Sequence, residues 1–125
     1  IFSTRQLRLM IDWHTAPEKN TTIGSIDLYD FDPLNKRAGI GILIDEPYRR
    51  QGFALESLKL LVDYCFNTLS LHQVYCVIEE TNTESIQLFT KAGFTGCGIR
   101  REWLYRNGKW INELAFQLIY TGSQD

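Results

Sequence analysis

A predicted helix that follows a glycine-containing turn is the feature that most constrains the fold. Extended apolar segments flank this helix, Ala38–Ile44 before it and His72–Ile78 after it. We therefore predict a parallel strand–helix–strand unit, which in nearly all proteins connects through a right-handed crossover. The apolar residues of the helix recur at intervals of three and four and lie on one stripe: Leu55, Leu58, Val62, Cys65 and Leu69.

An antiparallel hairpin is predicted to open the chain. Apolar and polar residues alternate over Leu7–Asp12, and a second β-rich segment covers Thr22–Tyr29. The segment Pro17–Asn20 between them has the composition of a turn, and Asp30–Asn35 has that of a loop. These features predict two neighbouring strands that precede the strand–helix–strand unit.

A short second helix and a closing hairpin complete the pattern. Thr81 and Glu84 fit a capping box, so a helix is predicted to start there, and Lys91–Gly93 has the features of a helix end. Asn107-Gly108 is a pair typical of a type I′ turn between two strands. The strands that flank this turn are predicted over Ile99–Arg106 and Lys109–Ile119.

This order of elements predicts one α/β domain of the α+β kind. We expect a mixed, mostly antiparallel central sheet of about six strands, with one parallel strand–helix–strand crossover and two main helices. The length of 125 residues suits a single domain over residues 1–125. The absence of an initial Met suggests processing, truncation or a cloned fragment, and we expect a domain that is truncated at its N-terminus.

Composition and charge exclude several classes of partner. A net charge of −2 gives no basic face for nucleic acid. No apolar run approaches the ~20 residues of a membrane span. Three cysteines without a CxxC pair, together with two histidines, do not predict a metal site. We instead expect buried free thiols and a cytoplasmic setting.

The turn before the first helix has the chemistry of an anion site. The segment Arg49–Ala54 leads into a helix N-terminus, where unpaired N–H groups and the helix dipole favour phosphate groups. Gly52 permits close approach of a ligand. Gly39 and Gly41 weaken the preceding strand unless a ligand or another backbone must come close. A plain turn with solvated arginines explains the same residues, and local chemistry does not separate the two interpretations.

Two motifs at the right separation resemble those of the GNAT acyltransferase superfamily. Arg49–Ala54 is similar to the acyl-CoA signature Gln/Arg-x-x-Gly-x-Gly/Ala. Asn82–Phe94 resembles the second signature, Asn-x-x-Ser/Ala followed by an aromatic residue and Gly-Phe. Gly98–Phe116 resembles the branch of spermidine and ribosomal-protein N-terminal acetyltransferases. The resemblance covers Thr22–Ile119 and implies an N-acetyltransferase that moves an acetyl group from acetyl-CoA to a primary amine by direct attack.

The resemblance also implies a site for acetyl-CoA, without a metal. In this family the strand before the signature splays from its neighbour, and its backbone binds the pantetheine arm. The pyrophosphate lies on the turn, and the start of the second helix contacts the arm. A backbone N–H near Leu43 is expected to polarise the thioester oxygen. The residues implied are Ile42, Leu43, Ile44, Arg49, Arg50, Gln51, Gly52, Phe53, Ala54, Asn82, Ser85 and Phe89.

Some positions depart from the family pattern. Many relatives carry a tyrosine at the position of Phe89, thought to protonate the departing thiolate, and Phe89 has no proton to give. Polyamine acetylases carry a carboxylate at Gly39, whereas another of their acidic positions matches Asp30, which we predict to bind substrate. Glu79, Glu80 and Asp30 are candidate general bases by position, but charged residues at strand ends are mostly just solvated. The catalytic residues are therefore left unassigned.

Other functions fit the same residues. One is a non-catalytic acyl-CoA-binding or regulatory module. It is supported by the absence of an acid at Phe89 and by the absence of the strand and two helices with which the family's domains open. A phosphate- or nucleotide-binding α/β domain is a third interpretation. The predicted partner is a small-molecule or peptide amine, and the sequence does not separate a protein N-terminus, a polyamine, an amino sugar, an antibiotic and a metabolite. A homodimer is also left open.

Overall fold

A six-stranded sheet with two helices makes up the fold. The computed structural model describes residues 6–16 and 19–122, with only the backbone described at residues 14–16, 19 and 20. None of the helices in these ranges is long and apolar enough to cross a membrane. The elements are β1 (Leu7–Ala16), β2 (Lys19–Asp32), β3 (Arg37–Ile44), a 3₁₀ turn (Glu46–Tyr48), α1 (Phe53–Asn67), β4 (Gln73–Glu79), α2 (Thr83–Lys91), β5 (Thr95–Arg106) and β6 (Lys109–Ile119).

The sheet topology confirms the predicted mixed fold. The strand order is β1-β2-β3-β4-β6-β5. Only β3 and β4 run parallel among these neighbours, and α1 makes the connection between them. The closing hairpin contains Asn107 with φ 50° and Gly108 with φ 78°. Because a type I′ turn needs two positive φ angles, the Asn-Gly pair accounts for this turn.

The core lies between the helices and one face of the sheet. The predicted stripe of α1 faces inward, with Leu58 and Cys65 fully buried. Strands β2, β3 and β4 meet it with Ile26, Ile40 and Val74, none more than 4% exposed. Burial of one such side chain stabilises the fold by roughly 1.5–3 kcal/mol. The core therefore fixes the helices on one face and leaves the opposite face of the sheet uncovered by them.

Several predicted boundaries need correction. β2 continues to Asp32, into the predicted loop, because pairing with β3 resumes after an irregularity beyond Tyr29. β5 begins at Thr95, which pairs with β6, rather than at Ile99. In the predicted turn at Pro17–Asn20, the last two residues belong to β2, and Pro17 and Glu18 lie outside the described residues.

The predicted start of α2 is one residue too early. Asn82, not Thr81, is the N-cap, and its side-chain oxygen accepts a hydrogen bond from Ser85 N–H at 3.1 Å. Glu84 does not close the predicted capping box, because with Asn82 as the N-cap Ser85 takes the third helical position, and the Glu84 carboxylate pairs with Arg50. Asparagine is as good an N-cap as serine or threonine, so the helix begins at the residue that pairs with its own first turn.

The prediction of buried thiols holds for two of the three cysteines. Cys65 and Cys76 are buried, and burial raises the pKa of Cys65 to about 11 and that of Cys76 to about 12. Cys97 is exposed, so the prediction is wrong there. The reason is that Cys97 lies on β5, an edge strand that is exposed along nearly its whole length.

Candidate functional site

Strands β3 and β4 separate partway along their length. Their pairing covers three residues of β3, Arg37 to Gly39, and the last pair joins Gly39 to Tyr75. Beyond this point β3 continues from Ile40 to Ile44 beside β2. We call the space between the diverging strands the strand gap, and the last pair, Gly39 with Tyr75, its vertex. Backbone groups on this edge of β3 have no strand partner among the described residues and can bind a ligand.

The ladder between β2 and β3 determines which backbone groups face the gap. Asp45 N–H donates to the Ile23 carbonyl at 2.7 Å. In an antiparallel ladder, successive residues direct their N–H and C=O groups to opposite edges of the strand. Leu43 lies two residues before Asp45, so its N–H and C=O groups also face β2. The N–H and C=O groups of Ile42 and Ile44 therefore face the gap.

This alternation refines one expectation from the sequence. The gap-facing N–H groups near Leu43 are those of its two neighbours, Ile42 and Ile44. The side chain of Arg49 agrees with this assignment, because its Nε donates to the Ile44 carbonyl at 2.8 Å, and that carbonyl must then point away from β2.

The N-terminus of α1 presents unpaired donors at the open end of the gap. Gly52 is the N-cap with φ 85°, and no side chain caps this end. The first helical backbone bond runs from Glu56 N–H to the Gly52 carbonyl at 3.1 Å. The N–H groups of the first turn precede that bond and have no helical acceptor. Together with the dipole of a 15-residue helix, they form a site for an anion.

Helix α2 forms the opposite wall. Arg50, in the turn before α1, pairs with Glu84 at 3.0 Å and so links the two helix N-termini. The pair is well exposed, with 84% of the Arg50 side chain and 53% of the Glu84 side chain accessible. Exposed pairs of this kind stabilise a fold by at most about 1 kcal/mol, so a ligand can displace this one.

A cleft of about 360 Å³ lies between β3, the turn and α2. Its walls carry three cationic side chains, Arg49, Arg50 and Lys91, and one carboxylate, Glu84. The positive balance suits phosphate groups. Nine of the predicted cofactor-binding residues line it: Ile42, Leu43, Ile44, Arg49, Arg50, Gly52, Ala54, Asn82 and Ser85.

Three predicted residues do not line the cleft. Gln51 turns back and donates to a carbonyl of the preceding 3₁₀ turn at 3.1 Å. Phe53 packs on Trp13, with ring centroids 5.2 Å apart. Phe89 is 3% exposed and meets Phe94 edge-on at 5.0 Å. Phe89 is therefore a core residue, and its ring carries no proton that could be given to a leaving group.

The sequence analysis missed one face of α2. Glu84, Gln87, Leu88 and Lys91 all line the cleft. Their spacing of three and four residues places them on a single side of the helix. This spacing was visible in the sequence and could have been found once Ser85, one turn from Leu88, was assigned to the site.

The sheet face opposite the helices carries an aromatic pair at the vertex. A Cβ added to Gly39 would lie 2.2 Å from Tyr29 Cε2, so the Tyr29 ring covers this glycine. Tyr29 also meets Tyr75 edge-on, with centroids 6.1 Å apart. Gly39 is thus explained by a neighbouring side chain, not by the approach of a ligand. Burial, reinforced by neighbouring negative groups that include Asp30, raises the pKa of Tyr29 above its ordinary value.

The three candidate bases have different surroundings. Asp30 is exposed at the irregular end of β2 with φ 49°, and its charge contributes to the raised pKa of both Tyr29 and Tyr75. Glu79 pairs with Arg106 at 3.3 Å. Glu80 accepts a hydrogen bond from the amide of Asn112 at 3.0 Å. Of the three, only Asp30 is electrostatically coupled to the aromatic pair at the vertex.

Comparison with protein families decides the family of this chain. The acetyltransferase (GNAT) domain matches residues 3–95. The chain belongs to the GNAT acetyltransferase family. The match includes the splayed strand, the turn before α1 and the whole of α2, so the predicted family membership is confirmed.

Individual GNAT relatives agree with the predicted branch. The chain is 29% identical over 91 residues to a spermidine N(1)-acetyltransferase of Escherichia coli, covering 73% of this chain and 49% of that protein. It is 31% identical over 96 residues to a putative ribosomal N-acetyltransferase, YdaF, of Bacillus subtilis, covering 77% and 52%. The chain therefore spans about half the length of the curated relatives it matches.

A solved structure confirms the GNAT fold. The crystal structure of spermidine N-acetyltransferase from Vibrio cholerae in complex with CoA and spermine superposes with a TM-score of 0.75 at 24% identity. The superposition covers 79% of this chain and 59% of that one. At this identity the similarity concerns the fold, including the mixed sheet with its parallel crossover.

Proposed function

We propose that this chain binds acetyl-CoA in the cleft and strand gap and transfers its acetyl group to a primary amine. The observation that carries the proposal is the continuous path from the α1 N-terminus to the vertex. Free N–H groups near Gly52 suit the phosphates. The gap-facing backbone groups of Ile42 and Ile44 can pair with the amides of the pantetheine arm as an added strand does.

This arrangement gives the cofactor a direction. With its phosphates at Gly52, the arm of acetyl-CoA runs along β3 away from α1. Its acetyl end then lies toward the vertex, where β3 and β4 meet. The helices cover one face of the sheet, so the opposite face gives an amine its open approach to the acetyl group.

The chemistry is direct transfer. The neutral amine attacks the thioester carbon, a C–N bond forms, the C–S bond breaks, and one amine proton ends on the sulfur of coenzyme A. An N–H of Ile42 or Ile44 can donate to the thioester oxygen as negative charge develops there. Holding the two substrates together supplies a large part of the rate enhancement.

The acceptor is proposed to be a polyamine or a peptide N-terminus. The E. coli relative is a spermidine acetyltransferase, the B. subtilis relative is a putative ribosomal one, and the Vibrio structure is in complex with CoA and spermine. Asp30 stays the predicted substrate-binding residue. Its support here is its exposed position and its electrostatic effect on the tyrosines at the vertex.

Calorimetric titration with acetyl-CoA tests the proposal. Gly52→Trp should abolish binding, because the indole fills the entrance to the first turn of α1. Gly108→Trp is the matched control, since both glycines have a positive φ and no atom within 4 Å of an added Cβ. Both variants carry the same backbone strain. An equal loss of acetyl-CoA binding in Gly52→Trp and Gly108→Trp would contradict a site at the α1 N-terminus. If the unmodified chain does not bind acetyl-CoA, the proposal is refuted.

A second candidate is a non-catalytic acyl-CoA-binding module. The buried Phe89, which has no proton to give, favours it. Release of free coenzyme A thiol in the presence of spermidine or a short peptide separates the two functions. Tight acetyl-CoA binding without amine-dependent thiol release would support the non-catalytic module.

The setting of the protein is also a proposal. All three cysteines are free, which suits the reducing cytoplasm. Pairing into a homodimer stays a prediction that sedimentation analysis tests.

A further inference from the structure

The ring of Tyr29 lies against β3 where the strand gap begins. An added Cβ on Gly39 would be 2.2 Å from Cε2 and 2.4 Å from Cζ of Tyr29, and one on Gly41 would be 3.9 Å from Cε1. The ring is therefore centred on Gly39 and reaches along β3 toward Gly41. It also contacts Tyr75, whose pair with Gly39 is the last one before the strands diverge.

The acetyl end of acetyl-CoA is directed to this same point. This step rests on the proposed function, in which the phosphates lie near Gly52 and the arm follows Ile42 and Ile44. The next part of β3 toward the vertex is Gly39–Gly41, which carries the Tyr29 ring on the face opposite the helices. Because the helices cover the other face, the amine and Tyr29 approach the acetyl group from the same side.

The Tyr29 hydroxyl is free to take part in a reaction. It makes no hydrogen bond to any residue within the described ranges, and the Tyr29 side chain is half-buried. Burial raises its pKa, and the nearby acidic groups Cys76, Tyr75, Asp30 and Glu113 raise it further. The phenol therefore stays neutral and protonated at physiological pH, so that its oxygen can accept one hydrogen bond while its proton is donated in another.

We propose that Tyr29 is the proton relay of the acetyl transfer. As the amine nitrogen bonds to the thioester carbon and the C–S bond breaks, the hydroxyl oxygen takes one proton from the nitrogen. At the same time its own proton passes to the departing sulfur. The products are the amide and the thiol, and the phenol is unchanged. A concerted relay needs no ionised tyrosine, and it supplies the proton that Phe89 cannot give.

Tyr29→Phe tests the relay while keeping the ring against Gly39. With spermidine and a short peptide as acceptors, kcat should fall by about 100-fold, the effect of losing a proton-transfer group. The Kd for acetyl-CoA should stay within about twofold, because the hydroxyl transfers its proton only in the transition state and not in the bound ground state. Tyr64→Phe, on an exposed part of α1, is the matched control and should leave both values unchanged. Tyr75→Phe should lower kcat by less than about threefold.

A solvent isotope measurement separates a relay from a structural role. Two protons move together in the relay, so a plot of kcat against the deuterium fraction of H₂O–D₂O mixtures should be curved. In Tyr29→Phe this curvature should be lost. The relay would be overturned if Tyr29→Phe kept a kcat within about threefold of the parent, kept the curvature, or lost acetyl-CoA binding in parallel with kcat. A larger loss of kcat in Tyr75→Phe than in Tyr29→Phe would also overturn it. Failure of the parent chain to transfer acetyl to either acceptor would overturn the proposed function and the relay together.

Discussion

Replacement of Gly39 by alanine probes the packing at the vertex. The added methyl carbon would lie 2.2, 2.4 and 2.7 Å from three ring carbons of Tyr29. Carbon atoms in contact are about 3.5–4.0 Å apart, so the ring has to move by more than about 1 Å. Overpacking of this size costs about 1–3 kcal/mol. For a chain of this length, Gly39→Ala should therefore lower the Tm by several degrees.

Gly41→Ala is the matched control in the same strand. Its added Cβ would meet only ordinary contact, with Tyr29 Cε1 at 3.9 Å. Neither Gly39 nor Gly41 has a positive φ, so alanine adopts both backbone conformations without strain. Alanine at position 41 should raise the free energy of unfolding by about 0.4–1 kcal/mol, because it restricts the unfolded chain.

Urea titration of the four variants of a double-mutant cycle measures the clash itself. The cycle combines Gly39→Ala with Tyr29→Ala, which removes the ring that the methyl group meets. The two substitutions should couple by about 1–3 kcal/mol, so that Gly39→Ala costs little once the ring is gone. If Gly39→Ala and Gly41→Ala change stability equally, or if the cycle shows no coupling, the assignment of the ring to this glycine is refuted.

Three further predictions follow from individual side chains. Cys97 is the only exposed one of the three cysteines, so the native chain should react with one equivalent of Ellman's reagent. Reaction of all three thiols before unfolding would contradict the buried positions of Cys65 and Cys76. A hydrogen bond from Arg8 lowers the pKa of Asp27, so the pair stabilises the fold at pH values above the ordinary carboxyl pKa and loses this effect as the pH falls through the lowered pKa of Asp27. In urea titrations, the loss of stability caused by Asp27→Asn should therefore shrink between about pH 5 and pH 3. A loss that stays constant over this range would refute the linkage. Glu84→Gln removes the one carboxylate among the described residues that line the cleft, together with its exposed pair with Arg50. It should change stability by less than about 0.5 kcal/mol and tighten acetyl-CoA binding by about two- to fivefold. Calorimetry that shows weaker binding would contradict the assignment of the cleft to phosphates.

Local patterns were sufficient to predict the elements and the anion site. The stripe of α1 and the Asn107-Gly108 turn depend on residues within a few positions of one another, so periodicity and turn chemistry reveal them. The turn at Gly52 was predictable for a similar reason. Its proposed role depends on backbone N–H groups at a helix start, and the sequence marks where that helix begins.

The tertiary structure alone decided the arrangement at the vertex. Tyr29 and Gly39 are partners across two strands, and only the β2–β3 register brings the ring over the glycine. The same register turns the N–H groups of Ile42 and Ile44, rather than that of Leu43, into the gap. A shift by one residue would reverse both results, because neighbouring residues of a strand face opposite sides. The sequence thus determined the family signatures and the turn at which the proposed acyl-CoA site begins, whereas the pairing of distant strands decided which backbone groups face the gap.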